Sequence, residues 1–110
     1  MPDHVLRDVD DLESALAQPR VLLFKHSPIC PISQTARSEF EMFKVDHPDV
    51  PTIFVDVLNS RPVARAIAQQ CGIEHESPQA ILFEAGTATW HASDTAITQE
   101  ALAAAWAPKC

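Results

Sequence analysis

Two short apolar runs, Val21-Leu22-Leu23-Phe24 and Thr52-Ile53-Phe54-Val55-Asp56-Val57, stand on either side of a segment with helical periodicity. Neither run is long enough to form a helix of its own. The first is continuously apolar and the second is rich in β-branched residues, so both read as buried strands. Between them Ile32, Ala36, Phe40 and Phe43 recur at helical spacing. Pro31 suits the first turn of that helix, which ends before His47-Pro48-Asp49. Strands joined by a helical crossover lie parallel in one sheet.

Prolines mark the remaining boundaries, nine of them against two glycines. Upstream, Val9, Leu12 and Leu16 make an apolar stripe over residues 9–17, with Asp8, Asp10 and Asp11 at the positive helix end and Pro19 as its stop. Downstream, Pro62 opens a helical stretch with Val63, Ala66 and Ile67 on one face, closed by Gly72 at the C-cap. Residues 80–84, the Ala85-Gly86 turn and residues 87–91 read as a β-hairpin. Thr98 can cap a last helix through about Trp106, with Glu100 in its first turn. The order α-β-α-β-α-β-β-α predicts one α/β domain over residues 1–110. Its mixed four-stranded sheet has parallel central strands, an antiparallel C-terminal hairpin and helices on both faces.

Composition narrows the function. Eight Lys and Arg against fifteen Asp and Glu give a net charge of −7. Nucleic acid and anionic membranes call for clustered positive charge and are not expected as partners. No apolar run in the sequence, residues 21–24 included, approaches the ~20 residues of a membrane span. Met1-Pro2-Asp3-His4 lacks the basic start of a signal peptide, so a cytoplasmic location is expected. Three cysteines, an odd number in a reducing compartment, do not describe a disulfide framework.

Cys30 lies where the first of these strands passes into a helix. Unpaired backbone N–H groups and the positive end of the helix dipole there favour the thiolate, the form that attacks disulfides. Ser33, one turn along, is placed to donate a hydrogen bond to the sulfur. The bland alternative is a buried thiol packed as a small hydrophobe. Pro28 and Pro31 bracket Cys30, and the position falls at the C-terminal edge of parallel strands, where open α/β sheets bind ligands. Ser77-Pro78, just before the next strand, is a candidate cis peptide that this topology brings beside Cys30; the alternative is an ordinary strand-start proline.

Cys30-Pro31-Ile32-Ser33 and the later Pro78, in this element order, resemble the thioredoxin-like superfamily. The blocks His26-Ser27-Pro28-Ile29-Cys30-Pro31-Ile32-Ser33, His75-Glu76-Ser77-Pro78-Gln79-Ala80, Trp90-His91-Ala92-Ser93 and Ile97-Thr98 resemble the monothiol bacilliredoxin family of the bacillithiol system, across residues 21–102. The resemblance implies a thioredoxin-like fold and thiol–disulfide exchange with mixed disulfides of bacillithiol. That low-molecular-weight thiol is then a co-substrate, with no bound cofactor. The resemblance also assigns Cys30 as nucleophile and Pro78 as cis-proline. The chain departs from the family where Asp94-Thr95 follows the His-Ala-Ser block in place of a basic or aromatic pair, which bears on the identity of the small thiol.

Because position 33 is Ser, no vicinal thiol can resolve a mixed disulfide, and the expected reaction is monothiol. Expected partners are S-thiolated client proteins and the small thiol, with the chain a monomer or weak dimer. Pro31, Ser77 and Pro78 are assigned to substrate binding, the Ser77 backbone pairing with an extended client segment. Ser93 and Asp94 are candidates to hold the polar head of the small thiol, Asp94 suiting an amine; turn or capping roles are the alternative. Lys25, His26 and His75 are candidates for depressing the Cys30 pKa, a solvated chain being the alternative for Lys25. Cys71, just before Gly72, is assigned to the core and Cys110 to a surface tail. The histidines show no His-x-x-x-His spacing and no metal site is assigned. Two further functions fit the chain: an iron–sulfur cluster carrier of the monothiol glutaredoxin kind, and a redox-inert adaptor with Cys30 buried. Against the carrier, Pro31-Ile32 stands where such proteins place Gly-Phe.

Overall fold

The computed structural model describes residues 3–6 and 8–107, from the backbone alone at 3 and 4; Cys110 lies outside the described residues. In chain order it contains β1 (Asp3–Val5), a 3-10 turn at Val9–Asp11, α1 (Leu12–Leu16), β2 (Arg20–His26) and α2 (Pro31–Asp46). Then come β3 (Thr52–Asp56), α3 (Arg61–Cys71), β4 (Gln79–Glu84), β5 (Thr87–Ser93), a second 3-10 turn at Asp94–Ala96, and α4 (Gln99–Trp106).

The sheet order is β1-β3-β2-β4-β5. β2 and β3 are parallel, while β4 pairs antiparallel with both β2 and β5, as the order of elements predicts. One strand lies beyond that prediction. β1 pairs in parallel with β3, from Asp3 opposite Thr52 to Val5 opposite Phe54, and adds a fifth strand at the edge. Three residues are too few for a period to register, so only the pairing defines this strand. The stretch expected as one helix over residues 9–17 is split into the 3-10 turn and the short α1, with Asp8 Oδ1 accepting the Asp10 N–H at 3.1 Å.

β2 is the central strand, and residues 21–26 on it are all buried. Its side chains alternate between two cores, as a strand's period of two requires. Val21 and Leu23 join Leu16, Ile53, Ile67 and Ile81 beneath α1 and α3. Leu22 and Phe24 join Phe40, Phe43, Leu82 and Leu102 beneath α2 and α4. Burying a side chain of this size contributes about 1.5–3 kcal/mol. The alternation then carries Lys25 toward the α3 side and His26 toward the α2 side, at the strand's C-terminal end.

On α2 the buried stripe is Ser33, Ala36, Phe40 and Phe43. Ile32, expected on that stripe, is 45% exposed, because Ser33 takes the inward position and Ile32 sits about 100° around the helix from it. Gly72 closes α3 at φ 69°, its N–H donating to Ala68 O at 3.0 Å. In the β4–β5 hairpin Ala85 and Gly86 both have positive φ, 52° and 82°, as a turn matching the strand twist requires. Thr98 Oγ1 accepts the Ala101 N–H at 3.1 Å and caps α4. Among the described residues no helix is long and apolar enough to cross a membrane.

Candidate active site

β2 and β3 end at the same edge of the sheet, where the Val57 N–H donates to His26 O at 2.9 Å. From His26 the chain turns through Ser27, Pro28 and Ile29, and the Cys30 N–H closes the turn on Ser27 O at 3.2 Å. Cys30 is the N-cap of α2, with extended φ and ψ, and its carbonyl accepts the Gln34 N–H at 3.1 Å. Its side chain is a free, half-buried thiol that makes no cap hydrogen bond. Pro31 follows at the first helical position and is exposed. Ile29, 77% exposed, and Ile32 flank the cysteine in sequence with apolar surface.

Ser33 does not serve the sulfur. It is fully buried, its Oγ accepts the Ser27 N–H at 2.8 Å, and it lies 2.9 Å from His26 Nδ1, a contact carried by one proton from either partner. Its place on the inward stripe of α2 aims the hydroxyl at β2, so it pins the cysteine turn to the sheet. His26 is 1% exposed and packs on Phe24 and Phe54, with ring centroids 6.0 and 5.6 Å away. Burial lowers its pKa first and Arg37 adds to the effect, against Asp56 and the Ser33 hydrogen bond. The ring is therefore neutral near neutral pH and supplies no cation to the thiol. Nε2 has no hydrogen-bond partner among the described residues.

Lys25 is also displaced from its expected role. It is fully buried, and Nζ donates to Gln79 Oε1 at 2.9 Å. Burial lowers its pKa to about 8, against the raising influence of Cys71 and Glu76. Its neighbouring thiol is thus Cys71, on the face of the sheet opposite α2. Cys71 itself packs half-buried against that core, as the sequence suggests. His75 is exposed in the loop before Pro78. Its pKa is lowered by partial burial and then by Lys25, against Glu76, so it too is neutral near pH 7. With Val57, Leu58, Arg61, Ala64 and Arg65 it lines a cavity of about 310 Å³. The two arginines carry no sequence motif. The available signal was two guanidiniums four residues apart on one helix face with no acid beside them.

The Ser77-Pro78 peptide is cis. Gln79 lies opposite Lys25, so the proline enters the sheet level with His26, at the end of β2 that leads to Cys30. Pro78 is buried and its carbonyl accepts the Asp94 N–H at 3.1 Å, while Ser77 Oγ is buried without a partner among the described residues. Ser93 Oγ donates to Glu76 Oε2 at 3.0 Å and ties the end of β5 to the proline loop. Asp94 is exposed at φ 55°, a left-handed conformation that Asp tolerates better than most residues. It lines a second cavity, of about 190 Å³, with Ile32, Thr35, Ala36, Glu39 and Ile97. The structure therefore brings Asp94 to the first turns of α2, and leaves Ser93 bound within the protein.

A cysteine capping the helix after the central strand, and a cis-proline entering the neighbouring strand at the same edge, define a thioredoxin-like oxidoreductase fold. Solved structures share it. A candidate oxidoreductase with a thioredoxin fold is 31% identical, with a TM-score of 0.87 over 94% of this chain and 92% of that one. Thioredoxin from Fasciola hepatica is 16% identical, at a TM-score of 0.72 over 93% of this chain and 94% of its own. Mitochondrial thioredoxin 3 from Saccharomyces cerevisiae, also 16% identical, has a TM-score of 0.72 over 93% and 91% of the two chains. These last two attest the fold alone. The sequence matches the monothiol bacilliredoxin BrxC family over residues 4–102, and the chain belongs to that family.

Proposed function

We propose that this protein is a monothiol thiol–disulfide oxidoreductase that removes bacillithiol-type caps from protein cysteines. The observation that carries the reading is the contrast between Cys30, a half-exposed free thiol at the head of α2, and Ser33, a buried hydroxyl bonded to Ser27 and His26. In the first step the Cys30 thiolate attacks the small-thiol sulfur of a capped client. The Cys30–small-thiol disulfide forms, the client S–S bond breaks, and the client sulfur leaves as a thiolate that takes up a proton. A second small-thiol thiolate then attacks the sulfur bound to Cys30. It releases the symmetric small-thiol disulfide and returns Cys30, so the small thiol is the reductant.

The client approaches over Pro31 and the cis-proline loop. The Ser77 backbone makes no hydrogen bond among the described residues and is available to an extended segment. Exposed Ile29 and Ile32 supply apolar contact on the other side of the thiol.

Mass spectrometry of the protein after incubation with a bacillithiol-capped client tests the reading. The cap is expected on Cys30 with the client thiol free. Cys30→Ser abolishes transfer and Cys71→Ser retains it. A cap that stays on the client, or moves to Cys71, overturns the proposal.

A further inference from the structure

Arg61 and Arg65 stand where helix physics disfavours them. Arg61 is the first residue of α3, at the positive end of the helix dipole, and Arg65 lies four residues on, on the same face. Like charges at that spacing repel. Neither arginine makes an ion pair or hydrogen bond among the described residues, in a chain with fifteen carboxylate side chains and a net charge of −7. Two uncompensated cations on one turn are poor stabilisers and good ligands.

Their side chains open onto the cavity of about 310 Å³ whose apolar wall is Val57, Leu58 and Ala64 and whose remaining polar group is His75. Its position relative to Cys30 follows from the sheet. Val57 is hydrogen-bonded to His26, the last residue of the strand leading to Cys30, and His75 lies in the loop leading to cis-Pro78. The cavity therefore lies at the same end of the sheet as Cys30 and cis-Pro78, on the α3 side. The cavity beside Asp94 is of opposite character, with Glu39 and Asp94 on its rim, and repels a carboxylate.

We propose that the Arg61–Arg65–His75 cavity receives the carboxylate-bearing end of the small thiol being transferred to Cys30, making the exchange selective for anionic caps. The inference rests on the exchange reaction proposed above and adds the chemical class of the cap. Guanidinium groups hold carboxylates through paired N–H donors, and two of them on adjacent turns offer that fork to an anionic group entering the cavity. His75 contributes a ring hydrogen bond. The head of the small thiol, assigned from sequence to Ser93 and Asp94, is moved to the other side of the proline loop.

The test uses the full chain and one uncharged single-cysteine peptide capped in turn with glutathione (anionic), 2-mercaptoethanol (neutral) and cysteamine (cationic). Rates of cap transfer to Cys30 are compared between the natural protein and an R61Q/R65Q variant. The variant is expected to slow the glutathione cap about tenfold, the equivalent of one lost carboxylate pairing, and to leave the other two unslowed. R61K/R65K, which keeps the charge but not the paired donors, falls between. An unchanged glutathione rate, or a slowing shared by all three caps, overturns the inference while exchange at Cys30 stands. A further arm places the neutral cap on an acidic peptide, and a slowing of the variant there, absent with the glutathione cap on the uncharged peptide, assigns the arginines to the client and also overturns it. If the natural protein takes no cap onto Cys30, the exchange reaction itself fails, and this inference with it.

Discussion

At the scale of single residues, Lys25 shows most plainly what folding does to ordinary side-chain chemistry. Its ammonium group is fully buried with one strong acceptor, Gln79 Oε1. Burial brings its pKa from 10.5 down to about 8. Below about pH 8 both folded and unfolded chains carry the proton, and the whole cost of burying the charge weighs against folding. Between 8 and 10.5 the unfolded chain still binds a proton that the folded chain has released, so stability rises with pH. Urea denaturation across that window should register a gain on the order of 3 kcal/mol that Lys25→Met lacks. Equal slopes in the two proteins would contradict the assignment. Lys25 was expected beside Cys30 or solvated, and its burial on the α3 side, two residues after Leu23, follows from both faces of β2 being covered. Its acceptor was not legible either, since Gln79 is 54 residues away and arrives only through the β2–β4 register. Ser33 repeats the lesson on a helix: its spacing from Cys30 suggested a bond to sulfur, and its rotation on α2 aims it at His26 instead.

Helices and strands were more readable, because each is set by periods and stop signals only a few residues long. α2 and α4 have the boundaries that Pro31, His47 and Thr98 imply, while α3 opens one residue before Pro62, β4 starts one residue early at Gln79 and β5 runs two residues on to Ser93. β1 left no mark in the sequence, since a three-residue edge strand is defined by its partner. Gly72 offers a clean measurement of what an element boundary is worth. A Cβ added there meets nothing within 4 Å, so the cost of Gly72→Ala is that of the left-handed backbone alone, φ 69°. The expected loss is about 1 kcal/mol, read as a lower urea midpoint at unchanged m-value. A loss several times larger would reveal packing at that corner which the open space denies.

The whole molecule carries a net charge of −7, while Arg61 and Arg65, without ion pairs among the described residues, line the cavity beside α3. In the exchange proposed above, a client meets a field that repels acids at long range, whatever the local pocket prefers. Salt screens that field, shortening the Debye length from about 30 Å at 0.01 M to about 3 Å at 1 M. Removal of a neutral cap from an acidic client should accelerate across that range, and removal from a basic client should slow. Stopped assays at several salt concentrations would read both trends, and rates indifferent to salt for both clients would deny long-range steering any part in encounter.

From the order of residues alone came the two buried strands, the crossover that makes them parallel, the cysteine opening a helix and the proline opening a strand. Each depends on backbone geometry within a few residues, which composition and spacing specify directly. Folding settled which distant side chains meet, Ser33 with His26 and Lys25 with Gln79, and set His75 and the arginines of α3 around one cavity. Those meetings depend on strand register and on the rotation of each helix against the sheet, and both are set by packing between segments far apart in the chain.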